Sequence, residues 1–355
     1  MAGERSGAVV TFTRDEASGA LTEVGCVSDT GSDGQCADGV ALAGAESVLM
    51  AADGADVYVT SSSSGSVVGL RRDAATGTLT PHACLLADAP AGGPCTSVPS
   101  LGGARGGMIT ADGRNLYVGG YEENTLTTLV RDAGTGALSV GGCLQYAPPT
   151  REEVVDPEEY YEDEETDRIP GCGGAAALVQ PHAVAVASDG RTLYAAGSYS
   201  LTAFTRDAAT GALTQFGCVE AYQALKACSA GRLIEDVSNL AASDDGRSLY
   251  VTSARSSSVA VFSASVAIAS SSARVASRSR TIRVRLSCPR AAGRRVCAGS
   301  ARVAGARPAR FRVAAGAAGM VQLRVSRSAA RRRSAVVVAR VGGLADVRRR
   351  VALYR

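Results

Sequence analysis

Tryptophan is absent from this chain of 355 residues, phenylalanine occurs five times, histidine twice, and Lys226 is the only lysine. So few aromatics exclude a core built on large rings. A core of Val, Ala and Leu suits many short strands, with 41 glycines available for turns. No run approaches the roughly 18 apolar residues that a membrane-spanning helix needs, so no membrane span is expected. No segment keeps a 3.6-residue period over about ten residues, which argues against a helical repeat. Two histidines, with the cysteines spaced as pairs, offer no zinc ligand set, and no metal is expected. GxSxG, a P-loop and a GxGxxG in βαβ context are missing, which argues against serine-hydrolase, nucleotide and dinucleotide chemistry; no cofactor is expected. The opening MAGERSGAVVTFTRD has no apolar stretch of the signal-peptide kind.

What the chain does have is repetition. VVTFTRDEASGALTEVGC, VVGLRRDAATGTLTPHAC, LTTLVRDAGTGALSVGGC and LTAFTRDAATGALTQFGC align on their closing cysteines, Cys26, Cys84, Cys143 and Cys218, at intervals of 58, 59 and 75 residues. A second element recurs ahead of them, as in RGGMITADGRNLYVGG and HAVAVASDGRTLYAAG, and returns a last time as SNLAASDDGRSLYVTS. Each full unit reads as four short alternating runs, with a tight SDG-type hairpin and a five-residue DAATG-type loop between them. Self-similarity at this period, four antiparallel strands per unit, predicts an all-β fold: a β-propeller of four-stranded blades, about four to five of them present, over residues 1–264.

The ten cysteines pair by spacing as Cys26/Cys36, Cys84/Cys95, Cys143/Cys172, Cys218/Cys228 and Cys288/Cys297. An even count at loop-like spacings reads as local disulfides, and so as an extracellular or cell-surface location.

These same phrases, with GCVSDTGSDGQCADGVALAGA, resemble the lactonase-like, YVTN-type propeller family over roughly residues 8–264. The resemblance implies a seven-bladed relative, gluconolactonase or muconate-cyclising activity in some members, and export in many. The blade count here is lower. It favours a propeller incomplete at its N-terminus over an open arc with exposed edges.

Charge divides the chain. Residues 1–264 carry 15 basic against 33 acidic residues, whereas residues 265–355 carry 22 arginines against Asp346 alone. Residues 265–280, rich in Ser and Arg, read as a linker. Residues 281–355 hold six or seven runs alternating apolar residues with Arg, which predict a small basic immunoglobulin-like β-sandwich. A face this basic suits an anionic cell-surface polymer. With only Phe311 and Tyr354 as aromatics, it offers no stacking platform for specific nucleic-acid binding.

Eight residues before each turn glycine stand Glu46, Arg105, His182 and Ser238, at the start of the innermost strand of successive units. Equivalent positions in neighbouring blades converge near a propeller's axis. Arg105 is positioned to hold a carboxylate or an oxyanion, His182 to shuttle a proton, and Glu46 to orient it or act as its acid/base partner. The PH of QPHAVAVASDG around His182 also resembles an inner strand of the lactonases. The alternative is a rim that is polar simply because it is wet. Two functions therefore stand open: a secreted binding or scaffold module taking a small carboxylated ligand or a polymer, or a lactone hydrolase or muconate-type cycloisomerase. His82, in the outer run TLTPHAC, is expected at the surface. REEVVDPEEYYEDEETDR, residues 151–168, with ten acids, reads as a solvated loop, a gate beside the rim, a calcium site or a dock for a basic partner.

Overall fold

The computed structural model describes residues 1–148, 153, 167–221, 228–231, 234–244, 248–263, 267–268, 270, 272–276, 279–288, 296–314, 317–331, 333–341 and 347–354. The chain divides into two compact units. One is Met1–Val186 with Gly190–Ala241 and Tyr250–Ala260, and the other is Val261–Arg355 with Ala187–Asp189 and Ala242–Leu249.

In the first unit the repeat becomes successive sheets in which each strand pairs with the next in sequence. The second sheet runs Ala45–Met50, Asp56–Ser61, Ser66–Arg72, Leu79–Leu86 and Thr96–Ser97. The third runs Ala104–Ile109, Asn115–Gly120, Thr125–Arg131, Leu138–Tyr146 and Gly173–Ala175, and the fourth Ala183–Val186, Thr192–Ala196, Ser200–Arg206, Leu213–Glu220 and Ser229–Ala230. The first sheet has Ala2–Gly3, Ala8–Arg14, Leu21–Ser28 and Ala37–Asp38; a fifth, divided between the two units, has Val237–Ala242, Ser248–Ser253 and Ser258–Ser263. Ala45–Met50 neighbours Ala104–Ile109, which in turn neighbours Ala183–Val186, so the first strands of successive sheets lie side by side as in propeller blades.

Blades of four strands were expected, and the complete ones have five. The extra strand is two or three residues long and parallel to the fourth, as in Leu85↔Thr96 and Leu144↔Gly173. The disulfides are the cause. Cys84–Cys95 and Cys143–Cys172 hold their Cα atoms 4.6 and 4.7 Å apart, and the residues just beyond each pair are laid along the strand. Cys26–Cys36 and Cys218–Cys228 do the same in the first and fourth blades, and Cys288–Cys297 closes the fifth expected pair in the second unit.

Small apolar residues fill the space between blades. Val9, Val27, Leu42, Val57, Val59, Val68 and Leu70 form one such core, and Tyr58, Val67, Leu85, Leu116, Val118 and Leu129 the next. The junctions of the second blade with the third and of the third with the fourth are each sealed at one end by a polar latch. The Tyr58 hydroxyl donates to the Gly136 carbonyl at 2.7 Å and accepts from Arg131 Nε at 2.9 Å, while Arg131 also reaches Asp56 at 2.5 Å and Asp53 at 2.8 Å. One blade on, Tyr117 donates to Gly211 at 2.8 Å and accepts from Arg206 Nε at 2.7 Å, with Arg206 on Asn115 at 2.6 Å. The repeated Arg-Asp-x-x-Thr-Gly phrase is thus a cap over the tyrosine of the preceding blade. Burial pushes the Tyr58 hydroxyl up to about 12, with the neighbouring Asp56 carboxylate adding to it, so this hydroxyl stays a donor at physiological pH.

The second unit has a three-stranded sheet, Ala267–Ile268, Thr281–Ser287 and Ala318–Arg324, and a five-stranded one, Ser272–Arg274, Val347–Tyr354, Ser334–Val341, Val296–Val303 and Ala309–Ala314. Both contribute to one core that includes Ile282, Val284, Leu323, Val303, Val313 and Val337. Alternation keeps Arg283, Arg285, Arg310, Arg312 and Arg324 exposed on the outer faces, as the sequence pattern predicted. The expected linker at 265–280 needs correction. Ser272–Arg274 pairs in parallel with Val347–Tyr354, and Ala267–Ile268 pairs with Thr281–Ser287. Ala273 enters the core and Val275 packs against it, so a stretch of linker composition carries enough apolar surface to be strand.

Candidate functional site at the blade rim

Glu46 and Arg105 each lie in the first strand of a blade, at a register shift against the second strand. Ala45 pairs with Ser61 but Ser47 with Thr60, and Ala104 with Gly120 but Gly107 with Val118. Such bulges turn a side chain out of the alternating pattern and are frequent beside sites. His182 stands one residue ahead of Ala183–Val186. The third and fourth blades approach closely here. A Cβ on Gly106 would lie 1.7 Å from the His182 carbonyl oxygen, and one on Gly119 2.2 Å from that of Pro181, so neither position accepts a side chain.

The three sequence-predicted residues are brought together, and Tyr121 joins them. Arg105 Nε lies 3.3 Å from Glu46 Oε1, with the side chains 37% and 23% exposed, so the pair is open to solvent on one side. Ser62 donates to the same carboxylate oxygen at 3.0 Å. The Arg105 guanidinium sits 4.4 Å over the Tyr121 ring, a cation–π distance. That ring is 5.7 Å from the His182 imidazole, tilted by 51°. His182 Nδ1 is 2.8 Å from the Gln180 carbonyl oxygen. A carbonyl only accepts, so Nδ1 carries the proton and Nε2 of the neutral ring keeps its lone pair. Gln180 is itself fixed, its N–H donating to Asn124 Oδ1 at 2.8 Å and its side chain accepting from Ser198. Ser238, the fourth residue in this register, pairs with Thr252 at 3.1 Å within its own sheet.

Tyr121 was not found from the sequence, although a signal existed. It stands four residues after Tyr117, where the second blade has Ser62 after Tyr58 and the fourth has Ser198 after Tyr194. This second ring position supplies partners to the first. Glu123, in the same turn, has its carboxyl held above the usual range by burial first and by Glu122, Asp88 and Asp167 next.

Other expectations fare differently. His82 belongs to a bulge, between Gly69↔Ala83 and Leu70↔Pro81, and its ring turns inward. Nε2 comes within 3.4 Å of the fully buried Asp56, and the side chain is only 19% exposed. The residue is exposed, as expected, while the bulge lays its ring against Asp56. Most of the acidic segment 151–168 lies outside the described residues; at its end, Gln145 donates to the Asp167 carbonyl at 3.0 Å and Arg168 to that of Cys172 at 3.1 Å. Asp29 accepts the Leu42 N–H at 2.8 Å, a loop-shaping role.

No family model matches the chain, and no curated protein does. Among solved structures it is similar to the periplasmic gluconolactonase of Pseudomonas aeruginosa, at 16% identity over 96% of this chain and 94% of that one, with a TM-score of 0.44. It is also similar to a Bacteroides fragilis protein described as a candidate 6-phosphogluconolactonase, at 14% identity over 97% and 90%, TM-score 0.43. A functionally unknown protein from Desulfotomaculum acetoxidans gives 12% identity over 74% and 77%, TM-score 0.39. Values this low carry no correspondence of residues, so the site is argued from its own geometry.

Proposed function

We propose that this chain is an extracellular binding module of the lactonase-like, YVTN-type propeller class, which takes a small carboxylated ligand at the rim formed by Glu46, Arg105, Tyr121 and His182. The observation that carries this reading is the chain of contacts across three successive blades, Glu46 to Arg105 and both Arg105 and His182 to the Tyr121 ring. A half-exposed guanidinium, braced by a carboxylate on one side and an aromatic face on another, is preorganised to take a carboxylate in a bidentate fork. Five disulfides fit an oxidising location. The C-terminal unit, read as an immunoglobulin-like sandwich, attaches the whole to an anionic polymer through its outward arginines.

Calorimetric titration with muconate tests the rim. Arg105→Gln is expected to weaken binding at least tenfold with unchanged thermal stability, and absence of binding in the parent protein overturns the reading. Attachment is tested on immobilised polygalacturonate: retention should collapse as salt rises from about 0.05 to 0.5 M.

Lactone hydrolysis is a second reading, favoured by the lone pair on His182 Nε2. In it, Nε2 takes a proton from water as the water oxygen attacks the lactone carbonyl, and Arg105 stabilises the oxyanion. The ring C–O bond then breaks, and the leaving alkoxide recovers the proton from the imidazolium, giving the hydroxy acid. Turnover of muconolactone or gluconolactone that survives His182→Ala, or no turnover in the parent, excludes it.

A further inference from the structure

The five-stranded sheet of the second unit carries a groove of about 240 Å³ on its outer face, lined by Ser300, Arg302, Pro308, Val338 and Arg340. Strand register explains how it forms. Val296–Val303 pairs with Ser334–Val341 so that Ser300 stands opposite Arg340 and Arg302 opposite Val338. These four alternate with Ala301, Val303, Val337 and Ala339, which enter the core, so all four belong to the outer face. The two arginines therefore occupy one diagonal of a cross-strand rectangle, about 7–8 Å apart at the backbone. Ser300 and Val338, both short, occupy the other. Long side chains at two corners and short ones at the other two leave a hollow between them. Ala309 pairs with Ala301, so Pro308 falls beside Arg302 and closes one end. Arg310 pairs with Ser300 on the same side and is exposed.

The lining combines charge with an apolar floor. Val338, 7% exposed, and Pro308 bring no polar side-chain atom, while Ser300 brings a hydroxyl. Arg302 makes no hydrogen bond or ion pair among the described residues. No acidic residue stands on any strand of this sheet, and Asp346, the one acid of residues 265–355, lies outside the described residues. A concave surface of one charge sign draws in ligands of the other.

We propose that this groove holds one uronate residue of an acidic polysaccharide. The proposal rests on the reading that the C-terminal unit attaches through its outward arginines, and it names the place and the ligand. The sugar carboxylate lies between the Arg302 and Arg340 guanidinia, which donate to it as charge-assisted pairs. The Ser300 hydroxyl donates to a sugar hydroxyl oxygen, and the apolar face of the ring rests on Val338 and Pro308. That floor is what selects the ligand. A chain of bare phosphates makes no use of it, and single-stranded nucleic acid stacks on aromatic rings, which the groove lacks. The volume is below the roughly 300 Å³ at which pockets begin to enclose drug-sized ligands, so a single ring fills it and the polymer continues past Arg310.

The test is fluorescence anisotropy of an end-labelled galacturonate pentamer, titrated with the full chain at about 0.1 M salt, where charges more than about 10 Å away are screened. Saturable binding is expected, weakened at least tenfold when Arg302→Ala and Arg340→Ala are combined. The control combines Arg283→Ala with Arg285→Ala, which removes the same two charges from exposed positions on the three-stranded sheet, across the shared core. It should weaken binding no more than about threefold. Ser300→Glu sets a carboxylate in the hollow and is expected to abolish binding while changing the charge by one instead of two. It also keeps the test decisive if the groove arginine variant folds poorly. Linear polyphosphate of equal charge should compete at least tenfold less well than unlabelled pentamer. Three results overturn the groove and leave electrostatic attachment standing: no pentamer binding by a parent protein still retained on polygalacturonate, equal losses in the two double variants, or equal competition by polyphosphate. A parent protein that is not retained on polygalacturonate overturns both.

Discussion

The second and fifth blades carry nearly the same phrase, DVYVTS and SLYVTS, yet Tyr58 is fully buried and Tyr250 is 44% exposed. Strand propensity and alternation cannot separate them. What differs is the neighbour: Tyr58 lies beneath Arg131 and the Gly136 carbonyl of the next blade, while the Tyr250 hydroxyl has no hydrogen bond among the described residues. Burial in this fold is conferred across the junction, by the following blade, more than by the strand itself.

The largest test removes the cap. In Arg131→Ala the buried Asp56 loses its closest cation, and the Tyr58 hydroxyl loses a donor. Breaking one side of a buried ion pair costs about 3–5 kcal/mol. Arg14 stands in the same register in the first blade but is exposed, and Arg14→Ala should stay within about 0.5 kcal/mol. Denaturant unfolding of both variants checks this, and equal losses would break the comparison. A milder step is Tyr58→Phe. It leaves the Gly136 carbonyl and Arg131 Nε without their partner, at about 1–3 kcal/mol, whereas Tyr250→Phe should be close to neutral.

This dependence on neighbours explains what was legible in the sequence. Glu46, Arg105 and His182 could be placed together because a repeat puts equal positions at equal radius, whatever the side chains are. The register of Arg-Asp-x-x-Thr-Gly was equally visible, but its role as a cap on Tyr58 was not, because a contact some 73 residues away leaves no local pattern. Tyr121 was missed for a related reason: it is recruited from the turn after the second strand by the guanidinium of the first. The short fifth strands were invisible because two residues held by a disulfide need no alternation. Residues 265–280 misled through composition, since Ala273 and Val275 are small enough to hide a buried face among serines and arginines.

The smallest effect separates the latch on Tyr58 of the second blade, the second latch, from that on Tyr117 of the third, the third latch. Where the second has Asp56 and, in the adjoining bulge, His82, the third has Asn115 and Gly141, which do not titrate. Asp56 faces His82 from the neighbouring strands along with Arg71, and Arg131 reaches the same carboxylate from the next blade. Burial holds the His82 pKa below its ordinary value, the two arginines lower it further, and Asp56 opposes them. A base whose folded pKa is depressed is protonated first in the unfolded chain as pH falls. Its contribution to stability is therefore complete above the ordinary value of about 6.5 and declines as pH drops through the folded pKa. Between pH 7.5 and 5.5 the parent protein should lose more stability than His82→Asn, measured as the shift in denaturation midpoint. Equal shifts in the two would show that the Asp56–His82 contact adds no pH dependence, and that the second latch differs from the third only in its carboxylate.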